Sequence, residues 1–125
     1  FQLYAEKGQV VLRDIILHGL RQLLPSPTLT TSLPVQGLQT VMQQANPTRT
    51  IVHLLYCVPV KRGQGIEVIE EIIPLRDISV ALRVDTTPSR VYLAPQDTDV
   101  PFTVTDGVLH TSVPELNCHQ MVVVE

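Results

Sequence analysis

Near residue 25 the apolar residues of this chain change their period, and that change limits what the chain can fold into. From Gln9 to Leu24, Leu12, Ile16, Leu20 and Leu23 recur at steps of four, four and three, with Val11, Ile15 and Leu24 widening the stripe. That spacing lines one face of an α-helix. Arg13, Asp14, His18, Arg21 and Gln22 fall on its wetter side. Pro25 and Pro27 end it, because proline withdraws a backbone donor and clashes with the preceding turn. Beyond Pro27 the pattern becomes short β-favouring stretches divided by Pro, Gly, Asn and Asp. The expected strands are 28–33, 38–44, 50–58, 66–73, 78–84, 90–94, 102–105, 108–113 and 119–124. No second helical pattern lies between them, so antiparallel pairing is favoured over βαβ units. The predicted fold is therefore mainly β: an antiparallel β-sandwich of eight or nine strands with one N-terminal amphipathic helix. Residues 1–27 form the helical segment and connector, and 28–125 the sandwich.

Two local signals sharpen this reading. Ile78, Val80, Leu82 and Val84 alternate with Ser79, Ala81 and Arg83, which gives one buried and one wetter face. Asp106-Gly107 between β-favouring runs marks a tight hairpin, since both residues tolerate the positive φ that a type I′ turn demands. In contrast, the run 51–58 is apolar on both faces. Something must cover its second side: either the helix of residues 9–24 or a neighbour outside this chain.

A chain of 125 residues suits one domain and is large enough to bury roughly two thirds of its unfolded surface. Its 9 Lys+Arg against 12 Asp+Glu give a net charge of -3, and the basic residues are scattered. No footprint for a phosphate backbone results, so nucleic acid is not an expected partner. No apolar run approaches the ~20 residues of a membrane-spanning helix, and the first residues lack a signal-peptide pattern. A membrane is not an expected partner either. A cytoplasmic setting is expected, with secretion left open. Cys57 and Cys118 suit facing strands of a sandwich; they are either bridged or two small apolar fillers, and a core of this size favours the fillers.

The chemistry-bearing residues do not assemble into a motif. His53, His110 and His119 with Cys57 and Cys118 invite a metal reading, yet 53 and 57 lie ~13 Å apart along a strand and 118 and 119 point to opposite faces. His53 is expected in the core or on a sheet face with a backbone partner, and His110 and His119 as hydrogen-bonding residues on neighbouring strands. Glu67, Glu70, Glu71 and Asp77 read as a solvated strand edge rather than a glycosidase pair. Lys61-Arg62-Gly63-Gln64-Gly65 lacks phosphate-loop spacing and reads as a hairpin loop. The chain has no Trp, and Phe1, Tyr4, Tyr56, Tyr92 and Phe102 are scant material for a sugar-stacking platform. No catalytic, cofactor or metal residue is assigned, and the chain alone is not expected to be an enzyme.

Several segments carry a family likeness: 49–55 (RTIVHLL), 66–77 (IEVIEEIIPLRD), 90–96 (RVYLAPQ), and 113–115 (VPE) through 119–123 (HQMVV). In that order they resemble the C-terminal β-sandwich domain of multidomain bacterial glycoside hydrolases of the α-L-fucosidase-like and β-galactosidase-like kind. In those proteins a (β/α)₈ catalytic barrel precedes a glutamine-amidotransferase-like α/β domain, and the sandwich follows. Tyr4-Ala5-Glu6-Lys7-Gly8 and the helix to Leu24 resemble the last helix of that middle domain. Tyr56-Cys57 departs from the Asn-Tyr expected after HLL, and the barrel's catalytic residues have no counterpart here. The resemblance implies a non-catalytic accessory domain with a capping, stabilising or assembly role. Leu12, Ile16, Leu20 and Leu23 are then the interface residues, and the partner is the remainder of the parent enzyme or another copy of the chain. A carbohydrate-binding module and a free-standing immunoglobulin-like interaction domain are the alternatives, with carbohydrate as a further candidate partner.

Overall fold

The structure is a computed structural model that describes Glu6 and residues 8–125. The helix α1 (Val10–Leu23) precedes eleven strands among these residues: β1 (Leu29–Thr31), β2 (Leu38–Ala45), β3 (Thr48–Leu55), β4 (Val60–Gly63), β5 (Ile66–Val68), β6 (Leu75–Arg83), β7 (Val91–Ala94), β8 (Thr98–Asp99), β9 (Phe102–Thr105), β10 (Val108–Leu116) and β11 (His119–Val124). They form a four-stranded sheet in the order β1-β6-β10-β9, a five-stranded sheet in the order β2-β3-β11-β7-β8, and a separate hairpin β4-β5. Every pairing is antiparallel. The mainly β, sandwich-like fold expected from the sequence is what the chain adopts.

Alternation explains the core. Ile78, Val80 and Leu82 of β6 lie opposite Val113, Thr111 and Leu109 of β10, and Val52, Leu54, Val122, Val124, Val91 and Leu93 enter the same cluster from the other sheet. Leu54, Val52, Leu109, Val113, Leu116 and Val122 are fully buried. Asp77 adopts a left-handed φ of 53° between Arg76 and Ile78, which rephases the alternation of β6 and lets the strand start earlier than residue 78. Leu75 then stands opposite the fully buried Leu116. The two buried polar side chains are paired: Thr111 Oγ1 donates to Pro101 O at 2.8 Å, and Gln120 Nε2 to Ala94 O at 2.8 Å.

Three expectations need correction. The run 66–73 is a strand only over Ile66–Val68, because Ile69 to Pro74 leave the ladder. Lys61-Arg62-Gly63, read as loop, belongs to β4, and the short β8 was not anticipated. β3 is not apolar-buried on both sides: Val52 and Leu54 are fully buried, Ile51 and His53 half-buried, and Leu55 exposed. Helix α1 buries none of its residues, so it does not close that second face. Ile51 and His53 are instead flanked in register by Met42, Thr40, Val123 and Met121 of the adjoining strands.

The Asp106-Gly107 hairpin forms as expected, with φ of 53° and 74° at its two central residues. A Cβ on Gly107 would meet only Val84 O, at an ordinary 3.7 Å, so the penalty for a side chain there is conformational. Gly107→Ala is therefore expected to cost about 1 kcal/mol, a fall of roughly 4 °C in the thermal midpoint read by circular dichroism.

Candidate functional site

Among the described residues, helix α1 is poorly supported. α1 has 14 residues, no side-chain N-cap hydrogen bond, no acidic residue in its first turn and no buried residue. A helix of that length is marginal without tertiary support. Of the expected interface residues, Leu12 and Ile16 are half-buried, whereas Leu20 and Leu23 are exposed, Leu23 by 78%. Leu17, Leu20 and Leu24 line a shallow concavity of about 600 Å³ with Pro25, Pro27 and Thr30. The apolar face of the helix is thus open at its Leu20–Leu24 end and partly covered at Leu12 and Ile16.

A second apolar element was not recognised from the sequence. Between β3 and β6 the chain makes an arm, residues 56–74, in which β4 and β5 pair with each other. Val58, Val60, Ile66, Val68, Ile69, Ile72 and Ile73 on this arm are 37 to 62% exposed. Arg62 braces it: Nε donates to Glu70 Oε1 at 2.6 Å and Nη2 to Oε2, a forked pair that lowers the Glu70 pKa and raises that of Arg62. The pair is solvent-exposed, so its role is geometric rather than stabilising. The run of β-branched isoleucines that suggested a long strand is the signal for this surface, read for packing it does not have.

Helix and arm attach at opposite ends of the sandwich. α1 leads into β1, whose Leu29 lies opposite Leu82 near the end of β6, beside the turn where Val84 N donates to Gly107 O. The arm returns at Leu75, where β6 begins, beside the β10–β11 turn where Tyr56 N donates to Cys118 O at 2.7 Å. The length of β6, roughly 26 Å, separates the two points.

At the root of the arm, Cys57 Sγ and Cys118 Sγ are 2.9 Å apart, both half-buried and both free thiols. The hydrogen bond to Cys118, with burial and charge repulsion from the same residue adding to it, raises the Cys57 pKa above the usual thiol range. A cleft of about 220 Å³ next to them is lined by Tyr56, Val60, Glu70 and Ile73 among others. His53 finds no backbone partner; its ring stacks on that of His119 with centroids 5.3 Å apart, and His53 Nδ1 and His119 Nε2 share a hydrogen bond at 3.1 Å. His110 stands on β10, exposed. Among the described residues no group of three or more His, Cys, Asp or Glu is placed to hold a metal ion. None of the helices there is long and apolar enough to cross a membrane.

The aromatic residues make no platform. Tyr92 is buried, the Arg90 guanidinium carbon sits 4.2 Å over its ring, and its hydroxyl accepts from Arg49 Nη1 and donates to Glu125 Oε1, each at 3.0 Å. Tyr56 and Phe102 are half-buried and pack against the core. Phe1 and Tyr4 lie outside the described residues.

The architecture is that of a β-sandwich domain carrying two open apolar elements. It is similar to part of a solved structure, that of alpha-L-fucosidase isoenzyme 2 from Paenibacillus thiaminolyticus, with 49% sequence identity and a TM-score of 0.92 over 98% of this chain. The match spans 19% of that protein's chain. No protein-family model matches the sequence. No curated protein matches it either. The likeness to an α-L-fucosidase-like protein read from the segments above is thus met by a fucosidase structure, whereas the expected glutamine-amidotransferase-like neighbour gains no support from the match.

Proposed function

We propose that the chain is a non-catalytic accessory domain of a larger glycoside hydrolase, acting by docking its apolar elements onto the remainder of that enzyme. The observation that carries this reading is near-complete correspondence, at 49% identity, with a segment making up only 19% of a fucosidase chain. The physical surface fits the role. α1 has no fully buried residue among the described residues, and packing on a preceding domain would give it the support a short helix needs. Exposed apolar rows at two ends of a compact sandwich are the form an interdomain contact takes before its partner is in place. In this reading residues 1–27 are the end of the preceding domain, and the setting is cytoplasmic.

The test compares the 125-residue chain with the full polypeptide that carries it. The chain alone is expected to release no nitrophenol from aryl α-L-fucosides or β-galactosides, while the full polypeptide turns one of them over. Turnover by the purified chain itself would overthrow the accessory reading.

A further inference from the structure

We propose that Cys57 and Cys118 form a redox-reversible clasp, a disulfide that ties the root of the β4–β5 arm to the β10–β11 turn. Its two sulfurs already lie 2.9 Å apart, so closing the bond takes an approach of about 0.9 Å to the ~2.05 Å of a disulfide. The backbone holds them in place: Tyr56 N donates to Cys118 O, and His119 N to Asn117 O at 2.8 Å. Cys118 occupies the turn with a left-handed φ of 65°. Both side chains are half-buried, which leaves them within reach of a small thiol reagent.

The oxidant is a low-molecular-weight disulfide of the glutathione type. A thiolate of the pair attacks one of its sulfurs, forms a mixed disulfide and releases one thiol. The second cysteine, losing its proton to solvent, then displaces the other thiol and closes the intramolecular bond. Two protein thiols and one small disulfide become one protein disulfide and two small thiols. The bond joins positions 61 apart in sequence. A link of that span restricts the unfolded chain strongly, and Cys57 lies at the root of the exposed arm, so oxidation fixes that root.

The experiment equilibrates the wild-type chain in glutathione buffers from mostly reduced to mostly oxidised, then measures intact mass, unreduced peptide maps and thermal midpoint. The expected result is a monomer lighter by two hydrogens, a crosslinked peptide containing Cys57 and Cys118, and a midpoint raised by roughly 5–10 °C. Dithiothreitol reverses all three, and Cys57→Ser removes them. The proposal is overturned if both thiols stay alkylatable in the oxidised buffer, if glutathione adducts or interchain bridges form instead, or if the bond forms with no rise in midpoint. The wild-type readouts decide the matter even where the Ser variant does not fold.

Discussion

Leu54→Ala is expected to lower the stability of the chain by about 3 kcal/mol, while Leu55→Ala, one residue along the same strand, costs less than about 1 kcal/mol. Leu54 is fully buried and enters the cluster shared by both sheets; Leu55 points the other way and is 36% exposed. Removing the Leu54 isobutyl group loses its transfer energy and leaves a hole. β3 is paired with β2 on one side and β11 on the other, so the backbone has little freedom to close in. For a chain of 125 residues the loss corresponds to a fall of roughly 10 °C in thermal midpoint, read by calorimetry or chemical denaturation. Equal penalties at the two positions would mean that both faces of β3 are packed, and would refute the assignment of its outer face to solvent.

That contrast also shows where sequence reasoning reached its limit. The run 51–58 looks apolar throughout, because Leu and Ile report preference and not occupancy; only the burial along β3 reveals that the side carrying Ile51, His53 and Leu55 is less covered than the side carrying Val52 and Leu54. Local signals held where their cause was local. Phe102–Thr105 and His119–Val124 match the expected bounds, and Asp106-Gly107 takes the positive φ values its turn requires. Segment 66–73 misled for the opposite reason: a β-branched run predicts an extended chain, but a strand needs a partner, and only Ile66–Val68 has one in β4. The Cys57–Cys118 and His53–His119 pairs depend on the register of β3 against β11, a property of two distant segments that neither segment encodes alone. For α1 the stripe was legible, and the sequence left open whether the helix covers β3 or awaits a partner; the structure shows that it buries no residue.

The open stripe leads to the prediction with the largest contextual effect. Leu20→Asp is expected to be almost silent in the 125-residue chain, with a midpoint change within about 2 °C, because α1 buries no residue against the sandwich and Leu20 is already 46% exposed. In the full polypeptide the same carboxylate would be trapped against an apolar neighbour. An unpaired charge taken out of water costs several kcal/mol, so the docked state should weaken by about 3 kcal/mol or more. Calorimetry of both forms reads this directly: the full polypeptide loses its shared transition and its sandwich melts separately, near the midpoint of the isolated chain. Far-ultraviolet circular dichroism of the isolated variant checks that any fraying stays within α1, whose last turn disfavours a negative charge through the helix dipole. If Leu20→Asp leaves the full polypeptide as stable as the wild type, the helix is not the docking element, and Leu12, Ile16 and Leu23 lose their proposed role with it.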